Sequence, residues 1–419
     1  MNRPIKIGIV LLSLIVFSYA ALGYVLKSDD QQSYRALGVY SEVLEKVQED
    51  YVEEPNIPKA TTGALHGLLE SLDAMSSYMS PQEYAEFKKN AAEKPAGQIG
   101  AVLSKRFGYV MVVSTLPGGP AEKGGLLPGD IVEAISGLTT REMSTEQAAQ
   151  MLSGAPGTVV KVDVVSRGRG QTQTETEDVT RAAFSAVHIV VTKLGQDIAY
   201  IRIPTLDAGK TDELRAKLVE LDRDGVHKVI LDVRGCALGE ISEGISATRL
   251  FLPSGTITSL RGQTVSKQEF SADASKVVWK NPVTVLTSGA TSGAAEILAA
   301  AIGGNHRGEV VGERTFGSAS QQKLIQLEDG AAVNITVAYY YTPGDKQIPE
   351  EGVSPTTEVT TTADDPVVYS HAENPPLTPG DPKNDPVLGK ALELFNGGQK
   401  SAERRAPLRR VFSHFPTTS

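Results

Sequence analysis

Two residue types in this chain could attack a carbonyl: a serine placed before an apolar stretch, and one cysteine. Thr291-Ser292-Gly293-Ala294-Ala295-Glu296-Ile297 runs into an alanine-rich segment. The Ser292 hydroxyl becomes a nucleophile only if a base takes its proton. Lys323 is the candidate base, because a desolvated lysine can be held neutral. Two observations oppose the pairing. A serine at a helix start reads as a capping oxygen. Lys323 follows Gln322 on a predicted strand, where neighbours point to opposite faces. Cys236 is the only cysteine. As a nucleophile it needs a partnered, low-pKa thiolate, with His188, His227 or His306 as partner. Its other reading is a small buried apolar residue. A lone cysteine excludes an internal disulfide framework and any multi-cysteine zinc or iron–sulfur site. The six histidines form no His-x-x-Glu-His-like pair. No metal and no cofactor are predicted.

The elements that would position these residues fall into blocks. Residues 34–92 have helical spacing, with apolar positions at Leu37, Tyr40, Val43, Leu44 and Val47, then Leu65, Leu68, Leu69 and Leu72. Ser80-Pro81-Gln82-Glu83 has the pattern of a capping box with proline first. From Gly97 the pattern changes to short β runs at Ile99–Leu103, Tyr109–Ser114, Ile131–Ile135 and Val159–Val165, punctuated by Gly and Pro. Residues 171–180 are polar and predict a turn and an exposed strand. Residues 183–358 alternate strand and helix: Ile198–Ile203, Thr211–Leu221, Lys228–Val233, Glu240–Leu252, Val283–Leu286, Ala294–Ile302 and Glu309–Val311. That alternation implies an α/β layer with parallel strands. Residues 361–387 read as a linker and Asp385 to Phe395 as a short helix. The Arg-rich end 396–419 reads as a loose tail.

At the amino end, Arg3 and Lys6 precede an uncharged run from Ile7 to Leu26, and Asp29-Asp30 follow. About 20 apolar residues span a bilayer core, and this charge order predicts the amino end inside and the body outside. Ser18-Tyr19-Ala20 also offers the small residues of a cleavage site. A retained anchor and a cleaved signal both stand. Both export the body, to the periplasmic or extracytoplasmic face of the cell envelope, and the anchor reading makes the membrane a partner.

Pro120-Ala121-Glu122-Lys123-Gly124-Gly125-Leu126-Leu127-Pro128-Gly129-Asp130-Ile131 resembles the helix-to-strand segment of PDZ domains. Gly97, Gln98, Ile99, Gly100 and Ala101 resemble their carboxylate-binding loop, and Thr145 to Leu152 their groove helix. The resemblance covers about 96–180. It implies that a peptide or protein C-terminal tail adds as a strand to a sheet edge, with loop amides holding its carboxylate.

A wider resemblance, over about 35–358, is to the carboxy-terminal processing (tail-specific) serine peptidases. It rests on Gly67-Leu68-Leu69-Glu70-Ser71-Leu72-Asp73 with Ser76-Ser77-Tyr78, on Ile230-Leu231-Asp232-Val233-Arg234-Gly235, and on Thr291 to Ile297 followed by Val311-Gly312-Glu313-Arg314-Thr315-Phe316-Gly317. It implies an α/β (α+β) peptidase-like core with an inserted β-rich PDZ domain and an N-terminal helical segment. The domains would be 1–30 signal or anchor, 31–95 helical, 96–180 PDZ, 181–360 core, and 361–419 linker, helix and tail. The family uses a Ser–Lys dyad. Anchored on Glu296-Ile297, its nucleophile position is Gly293, and its lysine position, after Phe-Gly, is Ser318. The interval between them matches the family, so no insertion hides the pair. The oxyanion-loop equivalent carries Gly235 and Cys236, with Cys236 for the family's Asn and Leu238 for a Gly. Gln322 matches the family's Gln. On a continuous helix, Ser292 would point about 100° away from the nucleophile position.

The resemblance therefore implies an exported, tail-binding homologue that is a pseudopeptidase. The alternative is an active serine endopeptidase with a rearranged site. The net charge of −9, from 41 basic and 50 acidic residues, argues against a nucleic-acid partner.

Overall fold

The computed structural model describes residues 34–93, 96–106, 108–141, 143–165, 174–184, 187–359 and 384–403. The expected signal or anchor segment, residues 360–383 of the expected linker and residues 404–419 of the Arg-rich end lie outside them. Among the described residues, no helix is long and apolar enough to cross a membrane.

The chain divides into two compact units, 1–65 and 66–419. In the first, a helix covers residues 34–50 and leaves Leu37 and Val43 exposed. A second helix, Ile57–Glu70, starts where the Asn56 side chain accepts from the Lys59 amide at 3.0 Å.

The larger unit is built around a six-stranded sheet. Its order is Thr357–Glu358, Glu309–Gly312, Val283–Thr287, Lys228–Asp232, Ile198–Arg202 and Val190–Leu194. All neighbours are parallel except the last pair. Strand alternation sorts the side chains. Ala199, Ile201, Val229, Leu231, Val283 and Val285 face one cluster, which also holds Leu214, Leu218, Ile245, Ile297 and Leu298 from three helices. Tyr200, Ile230, Leu286 and Val311 face the other side. The helix Ala294–Gly304 is buried almost all round, as its alanine-rich run, with Glu296 its one charged residue, leads one to expect.

The second face is covered by the C-terminal helix, and here the sequence expectation needs correction. That helix runs Pro386–Glu403, longer than Asp385 to Phe395, and Val387, Leu388 and Ala391 are buried against Tyr200, Ile230, Leu286 and Val311. The pattern favoured a short helix because Gly397 and Gly398 are weak helix formers. Anchorage of its first turns on the sheet outweighs them.

A second, antiparallel sheet places Ala332–Tyr341 between neighbours. Ser77–Met79 and Thr256–Arg261 pair along one edge of this long strand, and Ser320–Gln326 pairs along the other. The helix Pro81–Glu93 begins with the predicted capping box: the Ser80 amide donates to Glu83 at 2.7 Å and the Glu83 amide to Ser80 Oγ at 3.4 Å.

Between these parts, residues 97–182 form a β-rich module with its own core of Ile99, Val110, Val112, Leu126, Ile135 and Val162. Its sheet order is Ala101–Arg106, Tyr109–Thr115, Ile131–Ile135, Val159–Val165 and Thr174–Thr180. Ala101–Arg106 is the edge strand. The helix Thr145–Leu152, capped by Ser144 Oγ on the Gln147 amide, lies alongside it. The first strand starts at Ala101 rather than Ile99, because Gly97 and Gln98 make isolated bridges to Gly154 and Ala182 instead.

Candidate functional site

The loop Ser288–Gly293 links the strand Val283–Thr287 to the buried helix Ala294–Gly304. It is fixed from below: Thr291 Oγ1 donates to the Val233 carbonyl at 2.9 Å, and the Ser292 amide to the Cys236 carbonyl at 3.0 Å. The helix itself starts at Ala294. Gly293 is its N-cap, with φ 59° and ψ −115°. That sparsely populated backbone region strains a residue other than glycine by about 1–3 kcal/mol, and such strain clusters at active sites.

The expected cap role of Ser292 is therefore wrong. Because the chain turns at Gly293, Ser292 is outside the helix, and the 100° step of a continuous helix does not apply. Its hydroxyl lies 2.5 Å from Ser318 Oγ. Capping falls to Glu296, which accepts from the Gly293 amide at 2.9 Å. The same carboxylate accepts from Thr315 Oγ1 at 2.5 Å, the Gly317 amide at 2.6 Å and the Ser318 amide at 2.8 Å. Glu296 is fully buried. Burial raises its pKa above the usual carboxylate value, against the lowering effect of these four donors. Sequence reasoning used Glu296 only as a marker of alignment and missed this role.

Gly293 and Ser318 face each other across the site. A Cβ built at Gly293 would meet nothing nearer than Ser318 Oγ, at 3.9 Å. The position is therefore open in space and restricted only in backbone conformation. Lys323 is exposed and opposite Ile335 on the neighbouring strand, whereas Gln322 is opposite Thr336. Gln322 accepts from Thr336 Oγ1 at 3.0 Å and donates to Ser320 Oγ at 2.9 Å, so its amide is engaged away from Ser292 and Ser318.

Cys236 is buried, and burial, with the nearby Asp207 carboxylate, pushes its thiol up to about 12. A thiolate nucleophile needs the opposite shift. His188, one of the candidate partners, instead lies 3.3 Å from Glu213. Burial and the raised thiol support the reading of Cys236 as a packing residue. The preceding loop residue, Gly235, takes φ 73°, and its carbonyl accepts from Ser114 Oγ of the β-rich module at 2.5 Å.

One charged cluster beside this loop escaped sequence reasoning. Arg234 donates to Asp232 at 3.0 and 2.7 Å and to Asp385 at 3.0 and 2.6 Å. Tyr200 OH also donates to Asp232. Burial alone would raise Asp232, but the Arg234 charge and hydrogen bonds, then Arg202 and Tyr200, hold it at about 2. No spacing signal could reveal Asp385, which reaches Arg234 across 151 residues from a predicted linker.

In the β-rich module the expected carboxylate loop is narrower than the five residues Gly97, Gln98, Ile99, Gly100 and Ala101. The Gly97 amide donates to the Gly154 carbonyl and the Gln98 amide to Ala182, both at 2.9 Å. These two donors are committed, because they close the module's sheet against its own chain. Ile99, Gly100 at φ 74° and Ala101 remain at the head of the edge strand.

Residues 197–359 match the family model Peptidase family S41, and residues 111–166 match a PDZ domain. The chain is 31% identical over 316 residues to a carboxyl-terminal-processing protease of Synechocystis, spanning 74% of this chain and 73% of that protein. It is 26% identical to a carboxy-terminal-processing protease of Bartonella bacilliformis, over 92% of this chain and 93% of the relative. Among solved structures it is similar to a photosystem II D1 C-terminal processing protease, with a TM-score of 0.64 and 26% identity, covering 78% of this chain and 90% of that one.

Proposed function

Because the chain belongs to peptidase family S41, the carboxyl-terminal processing proteases with a PDZ domain, we propose that it captures peptides or protein C-terminal tails and does not cut them. One observation carries the second half. At the two positions where the family resemblance puts nucleophile and base, Gly293 has no side chain and Ser318 Oγ is hydrogen-bonded to Ser292 Oγ at 2.5 Å. Two neutral hydroxyls give each other no proton sink, because neither is a base near neutral pH. Lys323, the nearest candidate in sequence, is exposed on the other side of its strand.

The first half is supported by the edge strand Ala101–Arg106, flanked by the helix Thr145–Leu152; at the head of that strand Gly100 takes φ 74° and packs against the Phe184 ring. The charge order around Ile7 to Leu26 supports an envelope-side, membrane-tethered or secreted location.

Titrating the exported body with peptides bearing free and amidated carboxyl ends tests the capture. Tighter binding of the free ends is expected, and equal affinity overturns terminal-carboxylate recognition. Incubation with an unfolded protein tests the second half. The substrate is expected to stay intact, whereas cleavage would favour the rearranged endopeptidase.

A further inference from the structure

The groove helix Thr145–Leu152 turns its electrically unfavourable end toward a bound carboxylate. Its C-terminal end is tied to the carboxylate loop: the Gly97 amide donates to the Gly154 carbonyl and the Gly154 amide to the Gly97 carbonyl, both at 2.9 Å. A helix C-terminus carries about half a negative charge and repels an anion placed beside it. Two residues on from Gly97, the Ile99 and Gly100 amides donate to none of the described residues, so both are open to a tail. They have to hold a carboxylate against that field.

Arg181 supplies the opposing charge. It follows the strand Thr174–Thr180, and its guanidinium closes over the helix end. Nη2 donates to the Met151 carbonyl at 2.7 Å, Nε to the Leu152 carbonyl at 3.0 Å and Nη1 to Thr158 Oγ1 at 3.0 Å. The Ser153 amide covers the Ala149 and Gln150 carbonyls, so the last turn has no orphan acceptor. A Cβ at Gly154 would lie 3.1 Å from Arg181 Cδ and Nε, so the side chain crosses directly over the joint between helix and loop. The next residue, Ala182, pairs with Gln98 in both directions, at 2.9 and 3.0 Å. Arg181 is therefore fixed between the two bridges that anchor the loop. All three of its acceptors are neutral oxygens, and no carboxylate pairs with it among the described residues. Its charge is uncompensated, and because the residue is half-buried, salt screens it less than a surface charge.

We infer that Arg181 makes the groove selective for a free terminal carboxylate. It reverses the sign of the field at the helix end and so positions the carboxylate on the Ile99 and Gly100 amides. This role rests on the peptide-capture reading and names the group behind its preference for charged ends. A cap that is only structural holds the helix and serves every peptide alike, whereas a charge discriminates between charged and neutral ends.

The test uses a fluorescent peptide of Ser-Val repeats ending in Val, with its terminus free or amidated, on the unaltered protein, Arg181→Gln and Arg181→Lys. In Arg181→Gln the ratio of free-end to amidated affinity is expected to fall roughly fivefold. The amidated peptide should bind as before, which also reports that the groove is folded. Arg181→Lys keeps the charge without the forked grip on the two carbonyls and should recover most of the ratio. On the unaltered protein, raising salt from about 0.05 to about 0.5 M should weaken the free-ended peptide and leave the amidated one unchanged. A ratio that survives Arg181→Gln, an equal loss for both peptides, a ratio that Arg181→Lys does not recover, or a salt-independent ratio overturns the role of Arg181 and leaves capture standing. Equal binding of free and amidated ends by the unaltered protein overturns terminal-carboxylate recognition itself, and this role with it.

Discussion

Glu296 and the Gly293–Ser318 pair sit a turn apart and obey opposite rules. Glu296 is a buried acid with four donors aimed at it, from Gly293, Thr315, Gly317 and Ser318. Around Gly293 and Ser318 there is open space and one hydroxyl–hydroxyl bond. The first arrangement holds the loop that the second occupies. On the proposed reading, the polar chemistry that builds an active-site frame is separable from the chemistry that reacts: Glu296 holds the loop, and the side chains at positions 292, 293 and 318 are neutral.

Removing the frame should therefore cost far more than altering the reacting positions. Glu296→Ala leaves buried N–H groups unmatched and is expected to lower stability by about 4 kcal/mol, with Tm falling roughly 10 °C in calorimetry. A loss under about 1 kcal/mol would mean water replaces the carboxylate, and the contrast would collapse.

The Asp232–Arg234–Asp385 cluster is the next test of that frame. Asp385→Ala removes one of two carboxylates from a buried guanidinium and should cost about 3 kcal/mol in urea unfolding. Its pH signature has a definite sign. Asp232 is held at about 2 when folded, against 3.8 for the free side chain. Its contribution is complete above about 4, because both states are then ionised, and it is lost as pH falls through about 2. It amounts to about 2 kcal/mol. A stability curve flat from pH 5 to pH 2 would contradict the pairing.

Smaller effects are expected at the hydroxyls and the thiol. Ser292→Ala breaks one neutral hydrogen bond and should cost about 1 kcal/mol. A much larger loss would give Ser292 a place in the frame. Cys236 should react with a thiol reagent only as fast as the protein unfolds, since its thiol lies near 12 and is buried. Rapid labelling of the native protein would reopen the cysteine reading.

The layers were legible because their signals are local. Ile131–Ile135 and Val159–Val165 appear with the expected bounds, and the strand–helix alternation of 183–358 yields the parallel sheet. The site was legible only in part. Ser292 was misplaced because one positive φ at Gly293 turns the chain just before the helix starts, and composition carries no trace of that angle. Gly97 and Gln98 looked available because their acceptors, Gly154 and Ala182, are distant in sequence. Asp385 was hidden for the same reason. What the residue types did carry was the absence of a charged base in the loop around Ser318.

The central claim is that Gly293 and Ser318 leave an intact frame without a reacting pair, and covalent labelling tests it most directly. The protein should be incubated with a fluorophosphonate probe beside Ser292→Ala and Gly293→Ser/Ser318→Lys. The account predicts no label on the unaltered protein and label on the double variant, where open space at Gly293 admits the new hydroxyl at a backbone cost of about 1–3 kcal/mol. Labelling of the unaltered protein that disappears in Ser292→Ala would contradict it.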